Sequence, residues 1–82
     1  MGYSETELKV KEILADKLNL EIGKIGLSSH LVNDLGMDSF GSIEVIFELE
    51  EKFEIKIPQT DITQAKTVKD IVDYIASQTQ QK

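Results

Sequence analysis

The sequence contains no cysteine, no arginine and no tryptophan, and its single histidine is His30. Without cysteine the chain can form no disulfide, no thiolate zinc site and no cysteine nucleophile. No Ser, Asp or Cys arrangement surrounds His30, so the usual pairing of base and nucleophile is missing. No apolar run exceeds three residues, which argues against a membrane span and a secretory signal. These absences predict a protein that is not an enzyme, has no dedicated metal site and does not insert into a membrane.

The composition is that of one small globular domain. Of the 82 residues, 40% are hydrophobic and 29% are charged, and a chain of this length buries about 60% of its unfolded surface. Residues 34–54 carry seven acids and one lysine, which accounts for the whole net charge of −6. Such a block repels nucleic acid and anionic lipid and attracts a basic protein surface. We therefore expect protein partners with basic patches and no nucleic-acid partner, although a merely solubilising face is the alternative.

The first half of the chain predicts one amphipathic helix followed by a long loop. A capping box, residues 4–7, and a hydrophobic staple between Tyr3 and Leu8 should open this helix. Its buried stripe has the 3.6-residue period of a helix and consists of Val10, Ile13, Leu14 and Leu18. Glycines and a Ser-Ser pair mark the loop. Four apolar loop residues are expected to turn inward: Ile25, Leu27, Leu31 and Val32.

The second half predicts two longer helices and one short one. A helix should run from Asp38–Ser39 to about Phe53, and a helical turn over residues 61–65 should follow an extended link. A second capping box, residues 67–70, opens the last helix, whose apolar face is Val68, Ile71, Val72 and Ile75. Residues 77–82 are expected to form a flexible tail. The predicted fold is one all-α domain, residues 1–82: a small bundle of three main helices and one short helix, with a long loop after the first helix.

The second helix has two apolar stripes when its residues are placed at 100° steps. An inner stripe, suited to the core, consists of Val45, Ile46, Leu49 and Phe53. An outer stripe consists of Phe40, Ile43 and Phe47, flanked by glutamates. A bundle of this size cannot easily bury both sides of one helix. The outer stripe is either an exposed docking surface or a face that the long loop covers.

Ser39 lies at the predicted N-terminus of the second helix. A phosphodiester on its hydroxyl would meet unpaired backbone N–H groups and the positive end of the helix dipole. The ordinary alternative is that Ser39 or Asp38 serves only as the N-cap.

The segment LVNDLGMDSFGSIEVIFELEEKFEIKIP resembles the acyl carrier protein family. That family has a D-x-G-x-D-S-L core, an acidic amphipathic helix that ends in Glu-Glu-x-Phe, and then Ile-Pro. The matching residues here are Asp34, Gly36, Asp38, Ser39, Glu50, Glu51, Phe53, Ile57 and Pro58. Because the first helix, the loop and the last helix fit in the same order, the resemblance spans nearly the whole chain.

The resemblance implies a non-catalytic carrier. Ser39 would receive 4′-phosphopantetheine from coenzyme A through a phosphopantetheinyl transferase, and the thiol of that group would hold an acyl chain as a thioester. Asp38 matches the aspartate that helps to organise a magnesium ion during this transfer. The carrier would deliver its acyl group to enzymes of fatty acid, polyketide or related lipid biosynthesis. We expect a cytoplasmic monomer.

The resemblance also assigns roles on the second helix. Contacts to basic patches of partner enzymes would come from Phe40, Ile43, Glu44, Phe47, Glu50 and Glu51. If the bundle opens to admit an acyl chain, the candidate lining residues are Val45, Ile46, Val68 and Ile71.

Departures from the family pattern favour a specialised carrier over a housekeeping one. Phe40 stands where the family usually has leucine, Gly41 follows it, and Glu48 stands where housekeeping carriers often have a small residue. Two alternatives remain open at this stage. One is an aminoacyl, D-alanyl or peptidyl carrier with the same prosthetic group. The other is an acidic helical adaptor in which Ser39 stays unmodified.

Overall fold

The computed structural model describes residues 2–79. Its four helices are α1 (Tyr3–Leu18), α2 (Ser39–Phe53), α3 (Gln59–Thr63) and α4 (Val68–Thr79). A long loop joins α1 to α2 and contains one 3₁₀ turn, Ile22–Lys24. Between residues 2 and 79 the only bridge of β type is an isolated antiparallel pair, His30 and Thr67. The predicted all-α bundle with a long first loop is confirmed.

The core lies where α1 packs against both α2 and α4. The predicted apolar faces of these helices supply most of it, and its fully buried members include Val10, Leu14, Val45, Leu49, Val68, Ile71, Val72 and Ile75. Loop residues Ile25 and Leu31 complete the core, as predicted. Val32 does not: it is 56% exposed, so its predicted inward position is wrong.

The predicted capping box at the start of α1 is also wrong. The helix begins at Tyr3, and its N-cap is Gly2, which offers no capping side chain. The Tyr3 hydroxyl instead donates to Asp73 Oδ1 at 2.7 Å, which connects the start of α1 to α4. Leu8, the expected staple residue, is 51% exposed. The start of α1 is therefore held by a contact between distant parts of the chain and has no side-chain cap.

The long loop is attached to the start of α4 by backbone hydrogen bonds. The Val68 N–H donates to the Ser29 carbonyl at 3.1 Å, and the Lys69 N–H donates to the Leu27 carbonyl at 2.9 Å. In the opposite direction, the Leu31 N–H donates to the Lys66 carbonyl at 2.9 Å. The first two bonds satisfy N–H groups that the first turn of a helix leaves unpaired. They hold the loop against α4 and away from the outer stripe of α2.

His30 and Gly36 shape the turn that leads into α2. Nδ1 of His30 accepts the backbone N–H groups of Val32 and Asn33 at 3.2 and 3.0 Å. The His30 N–H donates to Asp34 Oδ2 at 2.7 Å. Gly36 has φ of +72°, a backbone conformation that favours glycine. His30 is thus a turn-forming residue.

The last two helices differ from the prediction only at their ends. α3 begins at Gln59 instead of Asp61, directly after Pro58, and the Tyr74 hydroxyl donates to Asp61 Oδ2 at 2.9 Å. α4 continues to Thr79, so residues 77–79 of the expected flexible tail are helical. The rest of that tail, residues 80–82, lies outside the described residues. None of the helices in the described part of the chain is both long and apolar enough to cross a membrane.

The second capping box is present at the start of α4. The Asp70 N–H donates to Thr67 Oγ1 at 3.3 Å, while Asp70 Oδ2 accepts the N–H groups of Lys66 at 2.9 Å and Thr67 at 3.1 Å. The hydrogen bonds from Lys66 and then Thr67 lower the pKa of Asp70 below its ordinary value of 3.8.

Replacing this carboxylate should weaken the fold. Asp70→Ala is expected to lower the free energy of unfolding at pH 7 by about 0.5 to 1 kcal/mol. This loss is modest because the Asp70 carboxylate is exposed. Since the pKa is lower in the folded state, this contribution is complete above the ordinary pKa and is lost as the pH falls through the lowered one. Urea unfolding from pH 7 down to pH 3 checks this. The exposed Asp16→Ala is the control, and an equal effect of both substitutions would contradict the cap.

Candidate functional site

Asp38 is the N-cap of α2. Its Oδ1 accepts the Gly41 N–H at 2.7 Å, and its backbone carbonyl accepts the Ser42 N–H at 2.8 Å. Ser39 is therefore the first residue of the helix, and its side chain is exposed. Of the two residues that could have served as the N-cap, Asp38 performs that task and Ser39 does not. The Ser39 hydroxyl lies where backbone N–H groups and the helix dipole stabilise an anion.

Met37 connects this helix start to the core. Its side chain is buried, and its N–H donates to the Leu31 carbonyl at 2.9 Å. Leu31 itself is fully buried and bonded to the segment before α4. Leu31 and Met37, at the two ends of the turn before α2, are thus anchored in the core. The segment that leads directly to Ser39 is therefore fixed at the start of α2.

A groove of about 400 Å³ lies beside Ser39. We call it the Ser39 groove, and its lining residues are Val32, Met37, Asp38, Ser39, Ser42, Ile62, Thr63 and Ala65. The lining alternates apolar side chains with hydroxyls, and it comes from the loop, α2 and the segment around α3. The sequence patterns did not identify this groove, because no spacing along one helix brings Val32, Ile62 and Ser42 together.

The outer stripe of α2 is exposed. Phe40 is 71%, Ile43 52% and Phe47 66% accessible to solvent. The alternative in which the long loop covers these side chains is wrong, since that loop is bonded to α4 instead. An apolar strip of this kind on a small domain is typical of a protein-interaction surface.

The glutamates around the outer stripe are not equivalent. Glu44 and Glu51 are exposed. Glu50 is half-buried, and its Oε2 accepts the Ile57 N–H at 2.7 Å, so it holds the link after α2 against that helix. Glu48 lies 3.6 Å from Lys17 Nζ, a contact between α2 and α1. Of the acids proposed for docking, Glu44 and Glu51 are free to meet a partner, whereas Glu50 also supports the fold.

The four candidate acyl-pocket residues all belong to the core cluster. Val45, Val68 and Ile71 are fully buried, and Ile46 is 8% exposed. Ile46 also borders a second groove of about 210 Å³, together with Ile43, Phe47, Glu50 and Ile57. An acyl chain that reached these side chains would have to enter between α2 and its neighbours.

Carboxylates do not gather into a metal site in the described range. Among residues 2–79 no group of three His, Asp or Glu side chains is placed to hold a metal ion. Asp38 is exposed beside Ser39. It is thus one carboxylate, which by itself does not form a metal site.

A family model matches most of the chain. The model described as "Phosphopantetheine attachment site" matches residues 8–75. This range contains all of α2, the loop before it, the Ser39 groove and the outer stripe.

Similar proteins cover nearly the same length. An acyl carrier protein of Clostridium perfringens is 44% identical over 72 residues, which are 88% of this chain and 95% of the relative. One from Clostridium acetobutylicum is 38% identical over 73 residues, with 89% and 95% covered. A solved structure from Mycobacterium tuberculosis, described as an acyl carrier protein, superposes with a TM-score of 0.82 at 33% identity and covers 89% of this chain and 97% of its own.

The different contributions of Glu50 and Glu51 to the free energy of unfolding can be measured. Glu50→Ala should lower the free energy of unfolding by about 1 to 2 kcal/mol, because it leaves the Ile57 N–H without its charged acceptor. Glu51→Ala, one residue away and exposed, should change it by less than about 0.5 kcal/mol. Urea unfolding at pH 7 compares the two variants. Equal stabilities would mean that the bond to Ile57 does not support the fold.

Proposed function

The chain belongs to the acyl carrier protein family, whose members are non-catalytic carriers with a covalently attached 4′-phosphopantetheine arm, and from this membership we propose that Ser39 is the attachment residue. When attached, the arm supplies the thiol that holds an acyl group as a thioester. The observation that carries the proposal is that Ser39 is exposed at the start of α2 while Asp38 does the capping. The unmodified-adaptor alternative is set aside, because this family is defined by the attached group.

In this proposal each residue near the helix start has a distinct task. The Ser39 oxygen gives up its proton to a base of the transferase and forms a bond to the pantetheine-bearing phosphorus of coenzyme A, while the pyrophosphate bond to that phosphorus breaks and adenosine 3′,5′-bisphosphate leaves. The N-terminal N–H groups of α2 stabilise the negative charge of the resulting phosphodiester. The Asp38 carboxylate keeps Oδ1 on the Gly41 N–H and helps to organise the magnesium ion used in the transfer. The mixed apolar and hydroxyl lining of the Ser39 groove suits an arm that alternates amides with short alkyl stretches.

The outer stripe supplies the partner contacts in this proposal. Phe40, Ile43 and Phe47 provide apolar anchors, and Glu44 and Glu51 attract basic patches. Glu50 contributes charge from the rim while it holds Ile57. The partners of this family are a phosphopantetheinyl transferase and acyl-handling enzymes.

We further propose a single-domain cytoplasmic monomer that serves fatty acid, polyketide or related lipid biosynthesis. Long acyl chains would enter the bundle beside Val45, Ile46, Val68 and Ile71, which are apolar core residues of α2 and α4. Loading assays with acyl-ligating and amino-acid-adenylating enzymes test the cargo. Loading with an amino acid alone would replace the acyl assignment by an aminoacyl carrier on the same Ser39.

Modification at Ser39 is tested by intact mass. After incubation with a phosphopantetheinyl transferase, magnesium and coenzyme A, the wild-type chain should gain one phosphopantetheine, and Ser39→Ala should gain none. The matched control is Ser28→Ala, because Ser28 is an exposed serine in the loop after α1 and does not line the Ser39 groove. Ser28→Ala should keep the gain. A folded wild-type chain that several transferases leave unmodified would contradict the proposal.

Docking through charge is tested by reversing it. Glu44→Lys and Glu51→Lys should each lower kcat/KM for a transferase by about 3- to 10-fold at low salt, mainly through slower association. The difference should shrink near 0.5 M salt, where screening is short-ranged. Glu21→Lys, an exposed acid at the 3₁₀ turn, is the control. Unchanged turnover at low salt in both α2 variants would rule out this docking role.

A further inference from the structure

Gly41 lies in the first turn of α2 and is buried. A Cβ placed on it would lie 3.1 Å from Leu18 Cδ2 and 3.2 Å from Asp38 Oδ1, with Met37 Cγ at 3.8 Å. The first two distances are shorter than ordinary carbon contacts of about 3.5 to 4.0 Å. A side chain at this position would therefore have to displace both the Leu18 side chain and the carboxylate that caps α2.

Leu18 is the less mobile of these two neighbours. It is the last residue of α1, and it is half-buried against the core. The chain turns immediately after it, because Asn19 has φ of +61° and the Leu20 N–H donates back to the Ala15 carbonyl at 2.9 Å. Asp38 is exposed and has no such support beyond its bond to Gly41. The Leu18 side chain thus gives way less, and the Asp38 carboxylate is the group that would move further.

We propose that Gly41 and Leu18 are positioning residues for the transfer of phosphopantetheine to Ser39. Because Gly41 has no side chain, Leu18 can pack against the first turn of α2. For the same reason the Asp38 carboxylate keeps its capping orientation. That orientation holds Asp38 beside Ser39, where the carboxylate acts in the transfer. This inference rests on the proposed function, because it concerns the same reaction at the same hydroxyl.

Helix propensity predicts the opposite effect of a substitution here. Alanine is a better helix former than glycine, so a helix free of such contacts would gain from Gly41→Ala. A loss of function in that variant would therefore come from the contacts with Leu18 and Asp38 and not from the helix itself.

The test compares three variants with the wild-type chain. Gly41→Ala should lower kcat/KM for the transferase by about 3- to 10-fold, since a displacement of a few tenths of an ångström misplaces a reacting group. The magnesium concentration at half-maximal rate should rise, and the amide hydrogen at position 41 should exchange faster in the unmodified chain. Leu18→Ala combined with Gly41→Ala should recover most of the rate and of the amide protection. Gly23→Ala, at a glycine with open space around it, should match the wild type.

Two kinds of result separate this inference from the proposed function. If the wild-type chain accepts the arm and Gly41→Ala matches it in rate, magnesium requirement and amide exchange, the inference alone is overturned. The inference is also overturned if the double variant is no better than Gly41→Ala, or if neither folds, because removal of Leu18 should relieve the contact. A wild-type chain that accepts no arm overturns both.

Discussion

The N-terminus of α2, where Ser39 lies, depends on one hydrogen bond, from the Gly41 N–H to Asp38 Oδ1. Through this bond Asp38 caps α2 and satisfies one free N–H group of the first turn, that of Gly41, and the helix begins at Ser39. Ser39 is therefore exposed on a helix whose preceding residue, Met37, is buried in the core. An exposed hydroxyl therefore lies at the positive end of the α2 dipole, which favours an anion such as the phosphodiester that we propose at Ser39.

The thin core explains the rest of the arrangement. α2 carries more apolar surface than a bundle of this size can bury, and its inner stripe is buried while Phe40, Ile43 and Phe47 remain exposed. The long loop could have covered them, but its backbone groups pair with the start of α4. The glutamates around the outer stripe also differ in what they contact. Glu50 accepts the Ile57 N–H and supports the link after α2, while Glu44 and Glu51 face solvent. One side of α2 thus stabilises the fold, and the opposite side is the one that we propose for partner contact.

Local patterns predicted the elements, and contacts between distant residues account for most of what they missed. The capping box at Thr67 and Asp70 formed as predicted, because both partners are neighbours in sequence. The one at Ser4 did not form: α1 begins earlier, at Tyr3, whose hydroxyl bonds to Asp73, 70 residues away. The apolar spacing of α2 predicted its two stripes but left open whether the outer one is exposed or covered, and the predicted start near Asp38–Ser39 is confirmed. The Ser39 groove and the packing of Leu18 on Gly41 were not predictable, since they arise only when the loop, α1 and α3 meet α2.

The most direct test is to locate the modification within the chain. Cleavage after lysine releases residues 25–52 as one peptide of the transferase-treated protein, and this peptide contains Ser28, Ser29, Ser39 and Ser42. Fragmentation of the peptide in a mass spectrometer shows which serine carries the phosphopantetheine. We expect the phosphopantetheine on Ser39 alone, because its side chain is exposed at the helix start while Asp38 provides the cap. Attachment at Ser28, Ser29 or Ser42 would contradict the assignment of Ser39.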